Sequence, residues 1–251
     1  MDTMKLVTLT DQGLGRTRML CGHSPTYRQG YDAKVAWVRQ RLQEGMRYTV
    51  AEAGRGIAGM IEYLPAEFAW RPVEADGYMF IHCFWVVGSN RKHGYGRQML
   101  AACLADSTGM KGVAVLSSRT HWLPTRRIFL KNGFDAVDVE PPFELLAIRF
   151  DPKAPLPRIR RNIPSLPAGL TLHYSDQCPY MQNMPTHVER AGRELGLTVN
   201  IIHLDSAAQA QASPCPYGLM GIFLDGRLLE YRPTNSEKLV SLITQQREAT
   251  R

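Results

Sequence analysis

Hydrophobic positions in this chain change their period several times, and each change marks an element. Val35, Val38 and Leu42 recur at i, i+3 and i+7, which predicts a helix over 32–44. The apolar runs 48–53 and 57–64 flank Gly54-Arg55-Gly56, the pattern of a hairpin, and Leu6 to Leu9 suits a strand that opens the same sheet. Residues 67–77, with Pro72 and the acids Glu67, Glu74 and Asp76, read as a loop. A long apolar strand over 79–87 then leads into a glycine-bearing loop and an amphipathic helix over 97–110. A strand over 113–116, a short helix near 124–131 and two closing strands within 137–150 complete the first half.

The pattern breaks after Phe150. Asp151-Pro152-Lys153-Ala154-Pro155-Leu156-Pro157 and the stretch through Arg158, Arg160 and Arg161 to Pro167 cannot extend a helix or a sheet. Residues 151–168 are therefore a connector between domains at 1–150 and 169–251. The second domain reads strand (170–174), helix (179–195), strand (198–204), hairpin (219–231, around Asp225-Gly226) and helix (235–246), with Thr234 and Glu237 spaced as a capping box. The fold class is α/β throughout, and 251 residues suit two domains.

Composition narrows the class. No apolar run approaches the 18 or more residues of a membrane span and the opening segment lacks an apolar signal region, so a soluble, cytoplasmic protein without a membrane partner is expected. Five scattered cysteines do not make a disulfide framework. Cys21 and His23 lack partners at metal-ligand spacing, so no metal is expected. The net charge of +7 is uneven: residues 1–150 hold 19 Lys/Arg against 14 Asp/Glu, and 151–251 hold 11 against 9. A polyanionic ligand on the first domain would account for part of this surplus.

That ligand has an evident cradle. Arg91-Lys92-His93-Gly94-Tyr95-Gly96 lies between the strand and the helix that begins near Arg97. Its glycines let the backbone turn tightly, and successive N–H groups with the positive end of the helix favour an anion. Gly-x-Gly-x-x-Gly of dinucleotide folds would need a third glycine where Met99 stands, which argues against nicotinamide or flavin.

The loop and its flanks resemble the GNAT acyltransferases, whose (Arg/Gln)-x-x-Gly-x-(Gly/Ala) motif holds the coenzyme A pyrophosphate. Val86 stands five before Arg91, and Lys131-Asn132-Gly133-Phe134 fits the family's closing motif. Glu62 to Ala66, Cys83 to Val86 and Pro142 to Leu146 look closer still to its YoaP-like branch. The resemblance implies a GNAT fold with a mixed, mostly antiparallel sheet, followed by a small thioredoxin-like domain. It implies acetyl-CoA or another acyl-CoA as donor, held by Val86, Val87, Arg91, Lys92, His93, Gly94, Tyr95, Gly96 and Arg97, and a small-molecule amine as acceptor. Alternatives are a GNAT-like transferase using aminoacyl-tRNA, or a coenzyme-binding thiol module without acyl transfer.

Acyl transfer needs a base. Alternation along 79–87 places Phe80, His82, Phe84 and Val86 on one face, and His82 occupies a position where GNAT relatives carry catalytic bases; Glu62, Glu74 and Asp76 are the reserves. Phe129 and Trp122 stand where the family has its tyrosine acid and an asparagine, which leaves Tyr95, Tyr63, Ser117 or solvent to protonate the leaving thiolate. Arg119, Arg126 and Arg127 could reach the nucleotide end of the coenzyme, but read more simply as a solvated face. Cys178, at the start of the 179–195 helix, and Cys215, before Pro216, are redox candidates. Met181 replaces the second cysteine of a Cys-x-x-Cys motif, and in thioredoxin-like folds the residue before the strand-leading proline packs beside that helix start.

Overall fold

The computed structural model describes residues 4–14, 21, 24–54, 56–118, 122–161 and 165–249. Arg55, Arg119 and His23 lie outside these. The chain divides into two compact units: residues 1–20, 35–69 and 73–159 form the first, and residues 21–34, 70–72 and 160–251 form the second. Two short segments from the first half of the sequence thus group with the second unit.

In the first half of the chain the elements are β1 (Lys5–Thr8), α1 (Asp11–Leu14), α2 (Arg28–Leu42), β2 (Arg47–Ala53), β3 (Gly56–Pro65), β4 (Val73–Glu74), β5 (Tyr78–Val86), α3 (Tyr95–Asp106), β6 (Gly112–Ser118), α4 (Arg126–Leu130), β7 (Asp135–Glu140), β8 (Phe143–Arg149) and β9 (Arg158–Ile159). Seven strands form one mixed sheet in the order β1-β2-β3-β5-β6-β8-β7. All its pairings are antiparallel except β5 with β6. Two segments expected to be irregular carry a short ladder: β4 lies in the 67–77 loop and pairs with β9 in the connector.

One core cluster sits where α3 covers the sheet. Ile61, Tyr63, Ile81, Met99, Leu100, Cys103, Val113, Val115, Phe129 and Phe134 are all buried there. Phe129 fills this core, with its ring edge-on to Phe84 at 5.6 Å and to Phe134 at 5.3 Å. Tyr63 donates its hydroxyl to Asp106 at 2.6 Å; burial, reinforced by that bond, holds the phenol well above its usual range. It anchors the core.

The second half holds β10 (Leu170–Tyr174), α5 (Met184–Leu195), β11 (Val199–His203), α6 (Ala207–Gln211), β12 (Met220–Leu224), β13 (Arg227–Glu230) and α7 (Ser236–Ala249). The four-stranded sheet has the order β11-β10-β12-β13; β10 is parallel to β11 and antiparallel to β12. Two expectations need correction. The helix expected from 179 is a three-residue 3-10 turn, Pro179–Met181, and α5 starts only at Met184. The cap of α7 is Asn235, whose side-chain oxygen accepts from the Lys238 N–H at 2.9 Å, so Thr234 does not cap the helix.

Candidate functional site

β5 and β6 pair from Tyr78↔Gly112 to Ile81↔Val115, and there the ladder stops, although β5 runs on to Val86 and β6 to Ser118. Parallel strands that cease pairing while both continue leave a wedge between them. β5 bulges at the same level: Glu62 faces Cys83 and Tyr63 faces Ile81, so His82 is an extra residue. Bulges bend a strand and re-aim its side chains. Here the bulge breaks the simple alternation. Ile81 and Phe84 belong to the core under α3, with Val86 packed against it. His82 instead lies beside Phe80, ring centroids 5.8 Å apart, and Trp37 of α2 at 6.0 Å. Phe80 and His82 therefore occupy one face, and Phe84 and Val86 the other.

Beyond the wedge the chain turns through Gly88–Asn90 into the glycine-bearing loop. Lys92 has φ 70° and Gly94 φ 81°; the left-handed backbone is natural for the glycine and strained for the lysine. The first bond of α3 runs from the Gln98 N–H to the Gly94 carbonyl at 3.1 Å, so the N–H groups of Tyr95, Gly96 and Arg97 have no partner within the helix. Gly94 borders open space. Gly96 does not: a Cβ there would stand 2.8 Å from Ile128 Cδ1 and 3.1 Å from Phe84 Cζ. Its role is to let α3 approach β5 and α4 closely.

These elements border a cleft of about 860 Å³. Arg91, Lys92 and Arg97 line it from the loop and α3, and Arg127 and Lys131 from α4 and its end; among the described residues its lining includes no carboxylate. Phe84, Trp85 and Val86 supply an apolar floor from the splayed end of β5. The Arg91 guanidinium lies over the Trp85 ring, 5.5 Å from its centroid. The Val87 N–H donates to Ala58 at 2.9 Å, toward β3, so strand alternation turns the Val86 N–H to the opposite edge, into the wedge.

Of the residues singled out from sequence, Val86, Arg91, Lys92, Gly94, Tyr95, Gly96 and Arg97 line the cleft together. Val87 and His93 stand beside it, the latter stacked on Tyr95 at 5.6 Å. His82 and Glu62 are buried and do not line it; they flank the bulge on β5 and β3. Glu74 and Asp76 are exposed. Tyr63 belongs to the core, and Ser117 donates to the Pro124 carbonyl at 2.8 Å, so Tyr95 alone of the named hydroxyls lines the cleft. Arg126 pairs with Glu144 at 3.3 Å, whereas Arg127 lines the cleft rather than a solvated face. Trp85, Arg127, Lys131 and Asn132 were missed as site residues. The only signal for the α4 pair was its i, i+4 basic spacing.

In the second unit Cys178 precedes a single 3-10 turn, so no long helix points its dipole at that thiol. Cys215 is fully buried, and burial pushes its thiol up to about 12 despite N–H donors from Tyr217 and Gly218 and the nearby Arg71 charge. It stays protonated at neutral pH. Arg71 is itself 2% exposed and donates to Gln177 at 2.9 Å. Among the described residues no cluster of His, Cys, Asp or Glu could hold a metal, and no helix is long and apolar enough to cross a membrane.

Residues 17–134 match the acetyltransferase (GNAT) family, and residues 199–239 match the YoaP-like family. The chain thus carries a GNAT acetyltransferase domain and a YoaP-like domain. It is 28% identical over 250 residues to the uncharacterized N-acetyltransferase YoaP of Bacillus subtilis, covering 96% of this chain and 98% of that one. Among solved structures, the PaiA N-acetyltransferase of Thermoplasma acidophilum in complex with coenzyme A is 13% identical, with a TM-score of 0.43 over 59% of this chain and 99% of its own. A GNAT family acetyltransferase from Brucella melitensis in complex with acetyl-CoA is 18% identical, with a TM-score of 0.40 over 62% of this chain and 93% of its own.

Proposed function

We propose that the protein transfers an acyl group, in the simplest case acetyl, from coenzyme A to an amine by direct attack on the thioester. The observation that carries this reading is the cleft at the start of α3, with five cationic side chains and no carboxylate among the described lining residues, and a floor formed by the splayed end of β5. The N–H groups of Tyr95, Gly96 and Arg97, with Arg91, Lys92 and Arg97, hold the pyrophosphate. Arg127 and Lys131 add charge on the opposite wall. The Val86 N–H polarises the thioester carbonyl from within the wedge.

In this reading His82 is the base, on the α2 face of β5 and away from the loop, so the amine enters from that face. Its nitrogen attacks the carbonyl carbon, the C–S bond breaks, His82 takes the ammonium proton, and Tyr95 or solvent protonates the thiolate. Glu62, across the bulge, is the runner-up base. For the second unit, the strand order β11-β10-β12-β13 supports a thioredoxin-like reading of the 169–251 domain. The burial of Cys215 disfavours a redox role for that thiol.

The test is a pH-rate profile of thiol release from acetyl-CoA with a panel of primary amines. His82→Gln should lower kcat by about two to four orders of magnitude with coenzyme affinity unchanged. A variant with wild-type turnover and profile would shift the assignment to Glu62.

A further inference from the structure

We infer that Trp37 is a positioning residue for His82, acting from α2 on the far side of the sheet from the coenzyme loop. The inference rests on the reading of His82 as base. A bulge frees the backbone of β5 from regular pairing on one side, and the β5–β6 ladder has already ended at Ile81. His82 therefore stands where strand pairing constrains it least. Its ring is nevertheless 4% exposed and confined. Phe80, one turn of the pleat earlier, meets it edge-on at 68°, and the Trp37 indole lies across it at 40° with a centroid separation of 6.0 Å.

Trp37 is well placed to set this ring. It is 4% exposed, and the Arg41 guanidinium, one helical turn on, lies 5.6 Å from the indole centroid while pairing with Glu44 at 2.8 Å. The indole thus neighbours both a cation and the imidazole, and its burial leaves it little room to change rotamer. On the sheet side the neighbours of His82 are also fixed: Glu62 is opposite the bulge on β3, and Tyr48 is opposite Glu62 on β2, both fully buried. Among the described residues, the titratable or charged groups of the elements around His82 include Glu62, Tyr48 and Cys83 from the sheet and the buried Lys34 and Arg41 from α2. Trp37 is a large, buried and neutral ring of α2 in contact with His82, so its removal loosens the imidazole without removing any of those charges. A base displaced by about 1 Å can lose a hundredfold in rate, which sets the size of effect expected.

The experiment measures thiol release from acetyl-CoA, with water and with primary amines as acceptors, across pH for the full chain and for Trp37→Ala, Trp37→Phe, Trp37→Leu and His82→Gln. Positioning predicts that Trp37→Ala and Trp37→Leu lower kcat by about ten- to a hundredfold with KM for acetyl-CoA within twofold, and that Trp37→Phe restores most of the rate. Trp37→Leu keeps bulk without a ring face, so it remains informative if Trp37→Ala unfolds. Wild-type kcat and pH profile in Trp37→Leu, alongside an inactive His82→Gln, would overturn the inference while leaving the base in place. If His82→Gln itself is unaffected, or the wild type releases no thiol with any acceptor, the base reading fails and this inference with it.

Discussion

The cationic cleft and the surroundings of Cys215 are built from the same ingredients with opposite results. Each joins backbone N–H groups at a turn to a nearby guanidinium: Tyr95 to Arg97 with Arg91 in the first, Tyr217 and Gly218 with Arg71 in the second. In the cleft these donors face solvent-accessible space and can serve an anion that brings its own hydration to exchange. Around Cys215 they face a fully buried sulfur, and the cost of desolvating a thiolate outweighs them, so the group stays neutral. Positive charge and N–H donors make an anion site only where the anion need not be stripped of water alone.

The strongest way to break this comparison is chemical. With its thiol near 12 against an ordinary 9, native Cys215 has about a thousandfold less thiolate near pH 8 than in the unfolded chain, and iodoacetamide should alkylate it correspondingly slowly. Peptide mapping with and without denaturant reads this directly. The same shift has a sign for stability: the folded form binds its proton more tightly. The contribution is therefore intact below the unfolded thiol pKa and declines as pH rises from about 9 toward 12. Equal native and denatured alkylation rates would show that burial does not govern the site.

Gly94→Asp tests the other member of the pair. It places a carboxylate at the mouth of the cradle and a side chain at φ 81°, where the backbone penalty is about 1–2 kcal/mol. Acetyl-CoA affinity should fall at least about a hundredfold by calorimetry, since a like charge opposes the phosphates in partly desolvated space. Unchanged affinity in a folded variant would remove the loop from the coenzyme site.

Much of the cleft was legible because its parts are local. The Arg91 to Gly96 run, the strand before it and the helix after it are contiguous, so spacing alone placed the cradle. Most of what escaped required long-range register. The one-residue bulge at His82 is set by pairing with Glu62 and Tyr63, some twenty positions away, and it moved His82 off the face shared by Phe84 and Val86. Arg127 and Lys131 entered the lining only because α4 folds back against α3, which no local pattern announces. In the second unit the apolar period ran smoothly from 179 to 195 and concealed the break before Met184. There the start of α5, which decides whether Cys178 meets a helix dipole, is marked by Pro185 in its first turn, a local signal that the apolar period overrides.

Gly96→Ala separates packing from ligand contact within the cleft itself. The added methyl would meet Ile128 and Phe84, so overpacking should cost about 1–3 kcal/mol in urea unfolding. Ile128→Val should recover part of that in a double-mutant cycle, because it removes the atom that stands closest. Full additivity would mean that α3 shifts bodily instead.

The smallest effect is expected from Tyr63→Phe, which asks whether a buried polar group that is already paired behaves unlike either region. Tyr63 donates to Asp106 at 2.6 Å, and Asp106 also meets Arg47 at 3.1 Å, so deleting the hydroxyl leaves the carboxylate with a partner. The loss should therefore be about 1 kcal/mol, the net worth of one hydrogen bond, with acetyl-CoA affinity unchanged. Burial and the bond to Asp106 hold the Tyr63 phenol above its ordinary value, so the wild type loses this advantage as pH rises past about 10, where the unfolded phenol ionises. Urea midpoints of wild type and variant should thus converge between neutral and strongly alkaline pH. A gap that stays constant would mean that the phenol's proton is not held by the fold, and that the stability difference comes from packing around the ring.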